Sequence, residues 1–230
     1  MREQLLLFRP RSDASFANFW VSAANTPAVH ALRNWLVSED VLFYLYGAEN
    51  SGRTHLLQAV CREYDALYLP LAELYDENPQ RVLEGLENVE RICLDDIHAV
   101  IENPAWCEHL FHLFNRCVQS GAQLLMSANC ASAQLPCVLL DLQSRLRSSG
   151  DFRLRALDET ERAQALQLRA RERGIDLSEE VVTYILARQS RAFPALLAVL
   201  EQLDRQSLAE KKRITIPFVR RVLDGSSVES

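Results

Sequence analysis

The chain has 230 residues, a net charge of −6 from 25 Lys and Arg against 31 Asp and Glu, and 48% hydrophobic residues. A mean hydropathy of −0.11 with only 7 Gly and 8 Pro excludes a disordered chain, and the longest purely apolar run, 41–46, falls far short of the roughly 20 residues a bilayer requires. The acidic balance argues against a stand-alone nucleic-acid binder, which needs a basic footprint to displace counterions.

The opening Met1-Arg2-Glu3-Gln4 lacks the layout of a signal peptide, so a cytoplasmic protein is expected. Its six cysteines form no CxxC pair and read as reduced thiols. Residues 1–15 combine the run Gln4-Leu5-Leu6-Leu7-Phe8 with a polar stretch from Arg9 to Ser15 and are expected to be flexible. From residue 41 onward, short apolar runs at 41–46, 66–70, 91–94, 123–127 and 152–157 alternate with segments of helical period. Apolar strands spaced by helices predict an α/β fold with a five-stranded parallel sheet over 16–157.

The first strand runs directly into Gly47-Ala48-Glu49-Asn50-Ser51-Gly52-Arg53-Thr54-His55. Strand, GxxxxG and helix in that order make a phosphate loop, whose backbone amides and helix N-terminus face an anion. Thr54 stands where a hydroxyl would hold magnesium. Arg53 stands in the lysine position, where it keeps the charge but brings a bulky planar fork instead of a compact ammonium. The third strand ends in Leu94-Asp95-Asp96, an acidic pair suited to magnesium coordination by Asp95 and water orientation by Asp96. The fourth ends in Ser127-Ala128-Asn129, which puts an amide where it could sense a γ-phosphate. Between them, Cys107, His109, His112 and Cys117 offer metal-ligating side chains. Trp106, Leu110, Leu113, Phe114 and Cys117 recur at helical spacing, however, so the segment reads as a core helix and no structural metal is expected.

After residue 157 the strands stop and a small helical unit is expected over 158–225. Asp158 with Glu161 starts a helix that Gly174 ends, and Ser178 caps a second helix through Arg188. A third begins around Ser190 to Pro194 and carries Leu196, Leu197, Leu200 and Leu203, and Pro217 suits the start of a fourth. Lys211-Lys212-Arg213 reads as a solvated turn between helices, and 226–230 as a frayed tail.

Together these residues resemble the AAA+ ATPases of the bacterial replication-initiator (DnaA) family. Phe16-Ala17-Asn18-Phe19 and Asn25 look like that family's leading segment beside the adenine pocket, and Leu94-Asp95-Asp96-Ile97 like its Walker B motif. Leu142-Gln143-Ser144-Arg145-Leu146 resembles its arginine-finger segment, and Ile214-Thr215-Ile216-Pro217-Phe218-Val219 the end of its lid. Neither an assembly domain nor a helix-turn-helix accompanies them in this sequence. The remainder is similar to the short Hda-type branch that drives regulatory inactivation of the initiator, closest over Gln164 to Arg171 and Gln202 to Arg205.

The resemblance implies an AAA+ P-loop base followed by a helical lid. Asn25, Gly47, Gly52, Arg53, Thr54, His55, Asp95, Asp96 and Asn129 would meet ADP or ATP, with Mg on Thr54 and Asp95. Gln4-Leu5-Leu6-Leu7-Phe8 looks like the peptide that docks on the sliding clamp (the DNA polymerase III beta subunit), with Leu7 and Phe8 in an apolar pocket, Leu5 beside them and Gln4 hydrogen-bonded. Leu6 departs from the small polar residue usual there. Arg145 would complete the site of the ATP-bound initiator DnaA in trans, so that replication initiation is restrained. DNA would be met only indirectly and a membrane not at all, while homo-oligomerisation is left open. The family's lid arginine falls here on Pro194, with Arg191 nearby. With Arg53 in the lysine position as well, slow hydrolysis by the chain itself and retention of ADP are expected. An independent AAA+ ATPase of the helicase-loader or remodelling kind is the alternative.

Overall fold

The computed structural model describes residues 13–38, 40–189 and 192–225, and the chain divides into two compact units at Ala156 and Leu157. In the first unit, strands β1 (Leu42–Gly47), β2 (Leu67–Pro70), β3 (Arg91–Asp95), β4 (Gln123–Ala128) and β5 (Gly150–Leu154) form a parallel sheet in the order β2-β3-β4-β1-β5. The expected five-stranded parallel sheet is therefore present. β3 and β4 are buried at nearly every position. Helices cover both faces of these strands, and continuous apolar runs are the sequence form of such burial.

Alternate strand residues feed two cores. Tyr44, Leu69, Leu94 and Met126 pack with Trp106, Leu110 and Phe114 of helix α4 (Pro104–Ser120). Phe43, Leu45, Cys93 and Leu125 pack with α1 (Thr26–Arg33) and with Leu56, Leu57 and Val60 of α2 (Arg53–Tyr64). A short α3 (Pro79–Leu83) and α5 (Leu140–Arg147) complete the unit. In α4, Cys107 and Cys117 lie in the core while His112 is on the exposed face, 4.0 Å from Glu108.

Two boundaries differ from the sequence expectation. β5 spans 150–154 instead of 152–157. Its pairing with β1 runs from Phe43↔Gly150 to Gly47↔Leu154, so polar Gly150 and Asp151 join through their backbone. The next peptide, at Arg155, is taken by Asn25: Nδ2 donates to the Arg155 carbonyl at 3.0 Å, and Oδ1 accepts from the Arg155 amide at 2.8 Å. At the N-terminus, the described part of 1–15 is packed. Ala14 is buried, and Ser15 and Asn18 exchange hydrogen bonds of 3.0 and 3.3 Å.

The second unit holds α6 (Glu159–Glu172), α7 (Glu179–Arg188), α8 (Phe193–Glu210) and α9 (Ile216–Gly225) around Leu166, Val182, Ile185, Leu196, Leu200 and Val219. Asp158 and Glu161 form a reciprocal capping box, and Ser178 accepts from the Val181 amide. Lys211 ends α8 in the left-handed conformation. Beyond it, Lys212 and Arg221 converge on Glu210 at 3.0 and 2.7 Å, and these two hydrogen-bond donors hold its carboxyl down at about 2. Among the described residues, no helix is long and apolar enough to cross a membrane.

Candidate nucleotide site

The sheet order places β4 between β1 and β3, which brings the loop after β1 and the acids after β3 to one edge. Asn50 (φ 61°) and Gly52 (φ 97°) take left-handed backbone in the loop. Glycine is needed at 52 twice over, because a Cβ there would stand 2.7 Å from the Phe19 ring. At Gly47 a Cβ would strike the Leu154 carbonyl and approach Ser51 Oγ to 2.6 Å. His55, in the first turn of α2, has its Nε2 3.0 Å from the Ser15 carbonyl and its ring 5.5 Å from Phe19.

Arg53 is 9% exposed and its guanidinium closes the loop. Nη1 donates to the Gly47 carbonyl and, at 3.1 Å, to that of Ala48, while Nη2 donates to Asp96 Oδ1 at 2.9 Å. The planar fork thus bridges the loop and the acidic pair, a span that a lysine's single ammonium does not reproduce. His98 Nδ1 lies 3.8 Å from the same Asp96 oxygen. Burial first, and then Arg53, outweigh the pull of Asp96 and lower the ring's pKa, so the imidazole is neutral near pH 7 and the cation facing Asp96 is Arg53.

Asp95 is 2% exposed. Tyr68 donates to its Oδ2 at 2.8 Å and Ser127 to its Oδ1, with Thr54 a third hydroxyl donor. Burial and the neighbouring Asp96 charge raise its pKa, and the three hydroxyls oppose the rise. Ser127 Oγ also accepts from the Asp96 amide at 2.9 Å and so locks both acids to β4. Sequence reasoning named neither Tyr68 nor Ser127 as a site residue. Their signal is strand parity: Tyr68 pairs with Cys93, and Asp95, two residues further, faces the same side.

The loop fits a phosphate, since Ser51 Oγ is buried without a hydrogen-bond partner among the described residues at the N-terminus of the 12-residue α2. The acids are differently placed. Asp95 is committed to hydroxyls and Asp96 to Arg53, so a magnesium ion would have to displace protein donors.

The remaining expected residues lie apart. Asn129 follows β4 and is exposed. Asn25, fully buried, is engaged by Arg155 as described. Arg145 is exposed on α5, a helix anchored by fully buried Leu142 and Leu146. Gln4, Leu5, Leu7 and Phe8 and the lid's Arg191 lie outside the described residues.

With this geometry in view, the solved structures are informative. Domain III of the replication initiation protein DnaA from Thermotoga maritima superposes with a TM-score of 0.77 at 21% identity, over 94% of this chain and 97% of that one. AMPPCP-bound DnaA from Aquifex aeolicus gives 0.70 at 20% identity, over 88% and 71%. The RuvB Holliday junction branch migration motor of Thermotoga maritima gives 0.67 at 19%, over 94% and 72%. At such identities the likeness is one of fold. The second unit is more particular. Residues 158–223 match the family model described as "Hda, lid domain".

Proposed function

We propose that this protein is a regulatory adaptor which, tethered to the DNA-loaded sliding clamp, stimulates hydrolysis of ATP bound to the initiator DnaA and so restrains re-initiation. The observation that carries the reading is a pairing of opposites. Arg145 is exposed on a well-anchored helix, while this chain's own phosphate loop is bridged to the acid pair by Arg53 and Asp96. Such a module is built to lend a catalytic arginine in place of using one. An arginine reaching a neighbour's γ-phosphoryl stabilises charge spread over its oxygens and accelerates hydrolysis by about 10³–10⁵-fold.

Gln4-Leu5-Leu6-Leu7-Phe8 supplies the tether in this reading, and the resulting local concentration lets a weak AAA+ contact suffice. Nucleotide, as ADP, serves mainly to order the fold, because a γ-phosphate and its metal would have to compete with Arg53 and with the hydroxyls on Asp95. Asp95 and Thr54 nevertheless retain the acid and hydroxyl of a hydrolytic site, so the second reading is an independent AAA+ ATPase. It predicts turnover by the chain alone, ended by Asp95→Ala. The adaptor reading predicts that Arg145→Ala abolishes stimulation of the initiator's hydrolysis while clamp binding and the melting temperature stay at wild-type values. Undiminished stimulation by this variant removes Arg145 from the role.

A further inference from the structure

The turn from α8 to α9 gathers basic side chains in a chain that is acidic overall, with a net charge of −6. Lys211, Lys212 and Arg213 are consecutive and exposed, and α9 adds exposed Arg220 and Arg221. The turn is held in one shape. Lys211 takes left-handed backbone at φ 53°, Ser207 Oγ donates to the Lys212 carbonyl at 2.6 Å, and the Lys212 amide donates to the Ser207 carbonyl at 3.2 Å. Glu210 Oε2 then draws in Lys212 Nζ and Arg221 Nη2 at 3.0 and 2.7 Å, which ties α9 to the turn. Arg221 also lies over the Phe218 ring, 5.0 Å from its centroid. One carboxylate thus faces two cations. Lys211 and Arg213, on either side of Lys212 in the chain, form no ion pair among the described residues.

We propose that this turn is a docking surface for the phosphodiester backbone of duplex DNA, met without regard to sequence by Lys211, Lys212, Arg213 and Arg221. The character of the cluster selects the partner. A protein interface is anchored by aromatic or apolar side chains seated in a pocket, whereas a phosphate backbone is met by Lys and Arg alone, with release of condensed counterions. A lipid surface takes an apolar helix face, and α9 spends Phe218, Val219 and Val222 on the unit's own core. Leu208 and Ile216 remain exposed on α8 and α9, which makes a lipid surface the rival to be separated. The chain's net negative charge keeps the contact weak and sensitive to salt. This contact goes beyond the indirect meeting with DNA that the family resemblance implies. It stands apart from the adaptor reading, since neither clamp nor initiator takes part in it.

The test titrates the full chain into a fluorescein-labelled DNA duplex and follows anisotropy from about 25 to 200 mM salt. Binding should weaken with a log–log salt slope of about −3.6, at about −0.9 for each of four phosphates met, and should be equal for duplexes of unrelated sequence. Lys211→Asn combined with Arg213→Gln removes two charges that hold no partner, and asparagine tolerates the left-handed backbone at 211. With folding checked by circular dichroism, this double variant should bind about tenfold more weakly and flatten the slope by about 1.8. Arg81→Gln, which removes an exposed arginine of the first unit, should bind as the wild type does. Three outcomes overturn the proposal: no anisotropy change at the lowest salt, a double variant that binds the duplex as tightly as the wild type, or uptake by phosphatidylglycerol vesicles at a salt concentration where the duplex is not bound.

Discussion

Asp95 shows how one residue's surroundings redefine a motif. Its carboxylate is buried and held by Tyr68, Ser127 and Thr54 instead of by a cation. Burial and Asp96 raise its pKa, so the folded chain binds that proton more tightly than the unfolded chain. Stability must then fall as pH rises from the ordinary carboxylate value of about 4 through the raised value. Asp95→Asn keeps the shape without the buried charge. It should therefore melt higher than wild type at pH 7, by roughly 2–4 °C for each kcal/mol recovered in a chain of this size, and lose part of the wild-type decline. Thermal melts from about pH 4.5 to 8 check this, and identical pH slopes for the two proteins would contradict it. The acid pair and the phosphate loop were legible in the sequence because each is a short motif at a strand's carboxyl end. The Arg53–Asp96 bridge was not. Its partners are 43 residues apart, and they meet only because the sheet order sets β1 and β3 on either side of β4.

At the scale of elements, apolar runs located β1 to β4 to within a residue or so, since those strands are buried and announce themselves by composition. β5 is an edge strand with exposed Gly150, Asp151 and Arg153. Its pairing is a matter of backbone, which hydrophobicity does not report, so composition points further on, to Ala156 and Leu157. What ends β5 is Asn25, which takes both hydrogen-bonding groups of the Arg155 residue from 130 positions away. Asn25→Ala leaves that peptide unpaired and should cost about 1–3 kcal/mol, read as a lower urea midpoint with an unchanged m-value. An unchanged midpoint would mean that water replaces the clamp. The lid helices were placed closely because their caps are local: Asp158 with Glu161, and Ser178 with Val181.

For the whole molecule, the central claim is a division of labour, in which one module lends Arg145 while Arg53 and Asp96 bridge its own phosphate loop. Sheet topology sets that bridge, and buried Leu142 and Leu146 hold the helix that carries the exposed arginine. The partner that would receive it, and the clamp that would hold both, enter through the proposed reading. The measurement that tests it most directly is the single-turnover hydrolysis of ATP preloaded on DnaA, with this protein added in the presence and absence of clamp loaded on DNA. The account predicts acceleration that requires both the protein and the loaded clamp. Hydrolysis at the initiator's own rate with both present would contradict it.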